Sequence, residues 1–301
     1  MRDSSNCPEC GTPLTEGNIE SEVKIPSNSN LPFFSYGIFK PTELAFHSIK
    51  KFTSKTTSAS VKGCLFVRDG LPILDNSSSG IVKGVLIKFQ KEDSQKAYTA
   101  ISAFEPYNQY RWIETKASGN QSANILLGRN PRKGSRVYES DNWSGRDDPF
   151  FTKAMDVVED VLIENQKFAW DLEPLFQLEM GYLLLWSIIE RFVSLRYLIG
   201  GKTMKRIYCL AENKAFCDGL SSKVLRKRTV YRADRPQNKV ELDPSNPKRS
   251  IEYYYQIRSN ITHRGKAVIN DFEILHESFT ELFEIVKMIL DNSFSSTEEA
   301  S

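Results

Sequence analysis

The sequence predicts two domains, an α+β domain followed by an all-α domain. The chain has 301 residues, of which 40% are hydrophobic, and this is enough for two domains that each bury a core. From residue 31 to about 148, short β-rich runs alternate with Gly, Pro, Asn and Ser clusters, as strands alternate with turns. After DDPFF at 147–151, apolar residues recur with the 3.6-residue period of helices. We therefore expect a boundary near 148, with the two domains at 31–148 and 149–295.

The polar segment at residues 1–30 carries the motif CPEC. Its two thiols, Cys7 and Cys10, have the spacing of half a zinc knuckle. Structural zinc takes four ligands, so two protomers would each supply two thiolates, or Cys64 or His47 would complete the site, or the motif is vestigial. A structural zinc is therefore one of the interpretations that the motif leaves open. The segment lacks the apolar stretch of a signal peptide or a membrane anchor.

In the α+β domain, the runs GCLFVRD, GIVKGVLIKF, YRWIET and NILLG predict strands, and residues 41–53 and 94–104 predict helices. Tyr36 and Gly37 follow an apolar strand, where a glycine lets the backbone turn and present its amides to an anion. Glu105 lies among aromatic residues in AFEPYNQYRW. Partial desolvation of that carboxylate would raise its pKa and let it carry protons near neutral pH.

The order of these parts resembles the gamma-glutamylcyclotransferase-like fold, over roughly 31 to 140. The first mark of this fold is a turn after the first strand, here Tyr36, Gly37, Ile38 and Phe39. The second is a V-x-G-x-L strand, here residues 82–86, and the third is a glutamate before a tyrosine-ended strand, here Glu105 and Tyr110. The resemblance implies a small mixed β-barrel. It also implies that the turn holds a gamma-glutamyl group while Glu105 moves a proton as 5-oxoproline closes. A pocket kept only for binding or sensing, and a purely structural module, are the alternatives.

The helical domain is predicted to contain five helices, at about 150–167, 171–200, 203–219, 248–264 and 271–292. The apolar run at 178–200 is interrupted by Glu190, Arg191 and Arg196, so we expect a buried helix and not a membrane span. The tail at 296–301 is expected to be disordered. Five irregularly spaced cysteines argue against a disulfide framework and favour the reducing cytoplasm.

Residues 221–250 lack a clear period and hold nine basic against three acidic residues. This composition predicts a mobile basic loop, which suits contacts with RNA phosphates but is also ordinary for a solvated insertion. The formal net charge of the whole chain is only +2, so any nucleic-acid surface must come from such local clustering. The candidate RNA-binding residues are Arg226, Lys227, Arg228 and, further along the chain, Arg264.

The stretch IEYYYQIRSNITHRG predicts a helix that ends near Gly265, and its polar residues are explained equally well by a solvated helix end. Arg258 and His263 in this stretch form the pattern R-x-x-x-x-H, and the upstream helix carries Trp186 and Glu190 in LLLWSIIERF. Together these features resemble an Apea-like HEPN domain over about 150–293.

The resemblance implies a metal-independent endoribonuclease that needs no cofactor. In it, His263 would move the proton and Arg258 would hold the phosphate, with Asn260 and Glu190 as further members of the site. The resemblance also implies that two protomers pair so that both motifs line one cleft. Arg258 and His263 are five positions apart, about 140° around a helix, so one protomer would present them to different sides of that cleft. A homodimer acting on RNA as a prokaryotic toxin or antiphage protein is the expected function. The alternatives are a metabolic gamma-glutamylcyclotransferase with a dimerising helical domain, and a non-catalytic interaction protein.

Overall fold

The computed structural model describes residues 24–76, 79–105, 110–128, 135–166, 171–197, 203–232, 235–264 and 269–295, with the backbone alone at 263–264, 269–271 and 295. Cys7 and Cys10 lie outside these residues, as does the tail at 296–301. The predictions of a zinc knuckle and of a disordered tail therefore stay predictions.

The protein is a mixed α+β structure. Its strands are β1 (Phe33–Ser35), β2 (Thr53–Lys62), β3 (Cys64–Arg68), β4 (Leu71–Asp75), β5 (Ile81–Phe89), β6 (Tyr110–Ala117), β7 (Gln121–Gly128), β8 (Arg136–Val137), β9 (Arg228–Tyr231) and β10 (Lys239–Leu242). Its α-helices are α1 (Phe46–Ile49), α2 (Ser94–Phe104), α3 (Lys153–Glu164), α4 (Leu172–Arg196), α5 (Thr203–Ile207), α6 (Lys214–Lys223), α7 (Pro247–Arg264) and α8 (Ile269–Ser295).

The larger sheet has the order β2-β5-β1-β7-β6, and all its pairs are antiparallel except β1 with β7. Among the described strands it does not close into the barrel implied by the resemblance, because β2 pairs only with β5 and β6 only with β7. The two edges meet at one end, where the Ser60 amide donates to the Ser118 hydroxyl at 3.1 Å. The sequence analysis missed β2 because TSKTTSASVK is mostly polar and lies exposed on the edge.

The sheet region is built around a cluster of aromatic rings between the large sheet and α2. Tyr98 of α2 lies edge-on to Trp112 of β6 and to Phe89 of β5, with ring centroids 5.2 and 5.3 Å apart. Phe33 of β1 joins the cluster through Trp112 at 5.6 Å. Such edge-to-face packing adds to the burial of apolar area and fixes α2, which ends at the candidate site, against the sheet.

The helical region is centred on α4, with α3, α7 and α8 packed around it. Gly181 of α4 allows a close approach to α8, since a Cβ there would lie 2.8 Å from the Phe279 ring. The predicted helices at 150–167, 171–200, 248–264 and 271–292 are confirmed within a few residues by α3, α4, α7 and α8. No helix in the described part of the chain combines the length and the apolar character that a membrane crossing needs.

Two helix predictions and one loop prediction were wrong. The predicted helix at 203–219 is broken into α5, a 3-10 turn and α6, because the Asn213 side chain accepts from the Phe216 amide at 3.1 Å and starts a new helix. The predicted helix at 41–53 is reduced to the single turn α1 and a following 3-10 turn. The basic stretch at 221–250 contains the hairpin β9–β10, and its strands were not predicted.

The sheet and helical regions are joined by polar contacts around the predicted boundary. Asp148 is 1% exposed and forms an ion pair with Arg191 of α4 at 2.8 Å. Nearby, the Gly145 amide donates to Glu43 at 2.9 Å, and Arg146 donates to the carbonyl of Phe294 near the end of α8. Residue 148 therefore lies in a tightly packed connection between the two regions.

Candidate functional site

A cavity of about 720 Å³ lies between the sheet region and α4. A much smaller cavity of about 20 Å³, called the narrow branch below, lies next to it at the turn after β1. Both parts are bordered by Leu71, Glu105 and Tyr110. The narrow branch is otherwise lined by residues of the turn, β1, β4 and β7, namely Phe33, Ser35, Tyr36, Gly37, Ile38, Phe39, Pro72 and Leu126. The predicted gamma-glutamyl site residues of the sheet region thus gather around one branch of the cavity.

Glu105 lies where the two parts of the cavity meet. It ends α2, since its amide donates to the Ile101 carbonyl at 3.1 Å while its own backbone is extended. Burial raises the pKa of its carboxyl group to about 8. A carboxyl group with this pKa exists in both protonation states near neutral pH, so it can accept a proton and return it. This is the chemistry that the sequence predicted for Glu105.

The two predicted tyrosines contribute their rings to the pocket, and their hydroxyl groups bond to the backbone. The Tyr36 hydroxyl donates to the Leu126 carbonyl at 2.8 Å and accepts from the Leu74 amide at 3.3 Å. Burial raises the pKa of Tyr36 well above its usual range, so the phenol stays protonated. The Tyr110 hydroxyl donates to the Pro72 carbonyl at 3.2 Å. Both side chains therefore hold the walls of the pocket in place.

Gly37 is required for a reason that the sequence analysis did not give. Its φ is not positive, so a turn that only glycine can adopt is not the cause. A Cβ at this position would lie 2.8 Å from Cγ of Pro72, which is too close for any side chain. The glycine allows the turn to pack directly against β4, with the buried side chains of Ile38 and Phe39 following it.

The wide part of the cavity is lined by cationic side chains that the sequence analysis did not propose as site residues. They are Lys51, Arg68, Arg191 and Arg206. Arg191 donates to Asp148 and to the backbone carbonyl of Asp69, and Arg206 donates to Ser194 at 3.1 Å. These residues come from four separate segments, so no local spacing could have revealed them. The one sequence signal was Arg191, a charge inside an apolar helical run.

Next to the cavity-lining part of α4, the structure brings together the two helices that the HEPN resemblance pairs. Trp186 of α4 lies edge-on to Tyr255 of α7, with centroids 5.4 Å apart, and the Arg258 guanidinium stands 5.5 Å from the same Tyr255 ring. Arg258 Nη2 lies 3.7 Å from Glu190 Oε1, with both side chains about one-third exposed. Arg258 Nε is buried without a hydrogen-bond partner in the described part of the chain.

Three other residues predicted for the ribonuclease site have different positions. Asn260 is buried, where it donates to the Tyr231 carbonyl at 2.8 Å and accepts from Gln256 at 2.8 Å, so it holds the β9–β10 hairpin against α7. His263 and Arg264 lie in the last turn of α7, and their side chains fall outside the described part.

The three basic residues proposed to bind RNA are engaged in ion pairs. Arg226 pairs with Glu277 at 2.9 Å, and Lys227 pairs with Asp243 at 3.0 Å. The Arg228 side chain is 7% exposed and also bonds to Glu277 of α8, at 2.8 Å. Arg226 and Arg228 are therefore compensated by an acidic residue of α8 that is distant in sequence, and Lys227 by an acidic residue of the same stretch.

Comparison with known proteins adds little to this description of the site. Neither a protein family nor a curated protein matches the sequence. Among solved structures, the crystal structure of an uncharacterized protein from Pyrococcus horikoshii is similar, with 16% identity, a TM-score of 0.31, and coverage of 37% of this chain and 88% of that chain. Within the described ranges, no group of three or more His, Cys, Asp or Glu side chains is placed to hold a metal ion.

Proposed function

We propose that the pocket at Glu105 releases 5-oxoproline from gamma-glutamyl amines by intramolecular acyl transfer. The observation that carries this proposal is a carboxyl group with a pKa of about 8 at the junction of a cavity and its narrow branch. Such a pKa suits a proton carrier that works near neutral pH. The resemblance of the turn at residues 36–39 to the gamma-glutamylcyclotransferase-like pattern supplies the substrate class.

In this reaction the substrate's α-amine nitrogen attacks its own γ-carbonyl carbon, and the bond from that carbon to the departing amine breaks. Glu105 takes the proton released by the attacking nitrogen and delivers it to the departing nitrogen. The proton count of the enzyme is unchanged after one turnover. No water enters the balanced reaction, which agrees with a narrow branch walled by apolar and aromatic side chains.

The proposal is tested by incubating the full chain with gamma-glutamyl-alanine and measuring 5-oxoproline. Glu105→Gln keeps the shape of the side chain but cannot cycle a proton, so we expect a loss of about 10² to 10⁴ in rate. Glu114→Gln, an exposed glutamate on β6, is the matched control and should retain the wild-type rate. Absence of product at high enzyme concentration would favour the alternative in which the pocket only binds.

A second candidate, the HEPN-type ribonuclease, is favoured by the state of Arg258. Its contact with Glu190 at 3.7 Å is too long for a hydrogen bond, and its guanidinium lies at the surface. A phosphate could therefore take up the donors of this side chain. His263, on the same helix, is the proposed proton carrier. The compensated charges of Arg226, Lys227 and Arg228 do not favour this candidate, because RNA would have to compete with their carboxylate partners.

The homodimer that this candidate requires is proposed to form through a surface on α4. Leu172, Phe176 and Met180 recur every four residues and are all exposed, so they form an apolar stripe. Phe176→Glu should abolish a dimer that uses this stripe, measured by light scattering against the equally exposed Glu173→Gln control.

Ribonuclease activity is tested with a fluorescent single-stranded RNA and the full chain. His263→Ala and Arg258→Ala should each abolish cleavage and the 2′,3′-cyclic phosphate end, whereas Lys55→Ala on the far edge of the sheet should not. Cleavage that survives His263→Ala would refute this assignment.

A further inference from the structure

The segment between β8 and α3, called the connection below, is held by two buried side chains that lie between β1 and α1. Lys40 and Glu43 are only 6% and 4% exposed. Lys40 Nζ donates to the side-chain oxygen of Asn142 at 2.8 Å and to the Trp143 carbonyl. Glu43 Oε2 accepts from the Gly145 amide at 2.9 Å. A short stretch of the sheet region therefore holds the connection at several points.

The same connection contacts the end of α8. A Cβ at Gly145 would lie 2.5 Å from Glu43 Oε2 and 3.0 Å from the Phe294 ring, so only a glycine lets both groups pack against this position. The next residue, Arg146, donates to the Phe294 carbonyl. Gly145 is thus contacted by Glu43 from the sheet region and by Phe294 from the helical region. A movement that frees its amide would loosen the contact between the two regions.

Lys40 compensates the charge of Glu43 only in part. Lys40 Nζ lies 3.9 Å from Glu43 Oε1, which is too long for a hydrogen bond, and it donates to the connection instead. Burial raises the pKa of Glu43 to about 7, although Lys40 and the hydrogen bonds from Gly145 and Thr42 oppose this. Glu43 therefore changes its protonation state near neutral pH while it holds the Gly145 amide.

Other charged groups near the pair act in the same direction or on Lys40. The negative charge of Asp147 is a further, smaller cause of the raised pKa of Glu43. Burial lowers the pKa of Lys40, against the charges of Glu43 and Asp147. The remaining titratable groups of this part are Tyr138, which donates to Asp147, Arg146, and the exposed pair of Asp141 with Lys83 of β5.

We propose that Lys40, Glu43 and the connection form a proton-dependent clasp between the sheet region and the end of α8. In the open clasp the Glu43 carboxyl group reaches water, and its pKa returns to the usual 4.5. The closed clasp holds this proton more tightly, so it is fully favoured below pH 4.5 and loses stability as the pH rises through about 7. The lowered pKa of Lys40 has the opposite sign and cannot produce this trend. The two regions are therefore held together more firmly in acid than at neutral pH.

Hydrogen exchange of the Gly145 amide in the full chain measures the opening of the clasp. This amide exchanges when its hydrogen bond to Glu43 breaks, so its protection factor reports the closed fraction. After correction for the intrinsic exchange rate, the protection factor should fall at least about tenfold from pH 5.5 to pH 7.5. The Phe216 amide, which donates to the neutral Asn213 side chain at 3.1 Å, is the internal control and should not show this fall. An equal fall at Phe216 would indicate global opening and overturn the clasp.

Two variants assign the effect to Glu43. Glu43→Gln keeps the size of the side chain but cannot lose a proton, so the Gly145 protection factor should be constant over the same pH range. Glu139→Gln changes an exposed glutamate beside the connection and should keep the wild-type fall. A fall that persists in Glu43→Gln, or a constant protection factor in the wild type, would overturn the proposal.

The comparison of Gly145 with Phe216 in the wild type decides the question even if Glu43→Gln does not fold. None of these measurements uses a substrate, so their result does not depend on whether the protein forms 5-oxoproline.

Discussion

Two acidic side chains that are largely removed from water, half-buried Glu105 in the sheet region and buried Glu281 in the helical region, have opposite electrostatic surroundings. In the sheet region, no cationic side chain in the described part of the chain lowers the pKa of Glu105, and burial raises this pKa to about 8. In the helical region, Glu281 bonds to Arg228 through both carboxylate oxygens and accepts from the Tyr254 hydroxyl at 3.2 Å. Glu277, beside it, has its pKa lowered by the hydrogen bond from Arg226. Glu281 is buried and Glu105 is half-buried, but only Glu281 has a cationic partner that compensates its charge.

This difference distinguishes a carboxyl group that is available for proton transfer from one that stabilises the folded structure. A carboxylate that is paired with a cation stays ionised near neutral pH, so it does not take up or release a proton there. A desolvated carboxyl group without a cationic partner costs folding free energy, but it changes its protonation state near neutral pH, where it can take part in catalysis. Burial lowers the pKa of Arg228, yet its hydrogen bonds to Glu281 and Tyr253 outweigh this and leave the pKa above its usual range. Arg228 therefore keeps its charge while it bonds to the two glutamates of α8.

The largest expected effect comes from breaking this cluster. Arg228→Ala leaves Glu281 buried and unpaired, so we expect a loss of about 3–5 kcal/mol in unfolding free energy, measured by urea denaturation. Arg226→Ala is the control, because Arg226 pairs with the same Glu277 but is 70% exposed, and such pairs contribute about 0–1 kcal/mol. Equal losses in both variants would show that burial does not distinguish the two arginines.

The second prediction concerns the pH dependence of the proposed reaction. Glu105 must be deprotonated to accept the amine proton, and with a pKa of about 8 only a small fraction is deprotonated at pH 6. The rate of 5-oxoproline formation at low substrate should therefore fall at least about 50-fold from pH 8 to pH 6. A rate that is flat over this range would contradict the role of Glu105 as the proton carrier.

The third prediction is a change of stability with pH. The pKa of Glu105 rises from 4.5, the value expected in the unfolded chain, to about 8 in the fold, so the folded state binds its proton more tightly. Its stabilising contribution is complete below pH 4.5 and is lost as the pH rises through about 8. Glu105→Gln cannot lose a proton. It should become more stable relative to wild type between pH 5 and pH 9, by on the order of 2 kcal/mol.

That stability difference is measured by thermal or urea unfolding at each pH. Glu114→Gln, on the exposed face of β6, should show no such trend. A difference between Glu105→Gln and wild type that stays constant with pH would mean that the carboxyl group is not desolvated.

The smallest expected effect tests whether Asn260 is structural. Asn260→Ala removes the hydrogen bond to the Tyr231 carbonyl and should cost about 1–2 kcal/mol in unfolding free energy. Ser259→Ala, at the neighbouring half-buried position, is the control and should change stability less. Loss of RNA cleavage in Asn260→Ala without loss of stability would instead support its predicted place in the ribonuclease site.

Much of the helical region was predictable because its signal is local. The 3.6-residue period placed α3, α4, α7 and α8, since buried apolar side chains recur at helical spacing in the described part of each helix. The break at Asn213 was missed because a single capping side chain decides it. In the sheet region, β2 was missed because an exposed edge strand need not show apolar alternation.

The sequence by itself determined the chemistry of single residues. It indicated a carboxyl group in an aromatic setting at Glu105, and it indicated which two helices would bring Arg258 and Glu190 together. The tertiary structure alone decided which charges are compensated. It paired Arg226 and Arg228 with acids about fifty residues away, and it gathered Arg68 and Arg206 at one cavity. Pairing and desolvation depend on distances between residues that are remote in the chain, and no local pattern encodes those distances.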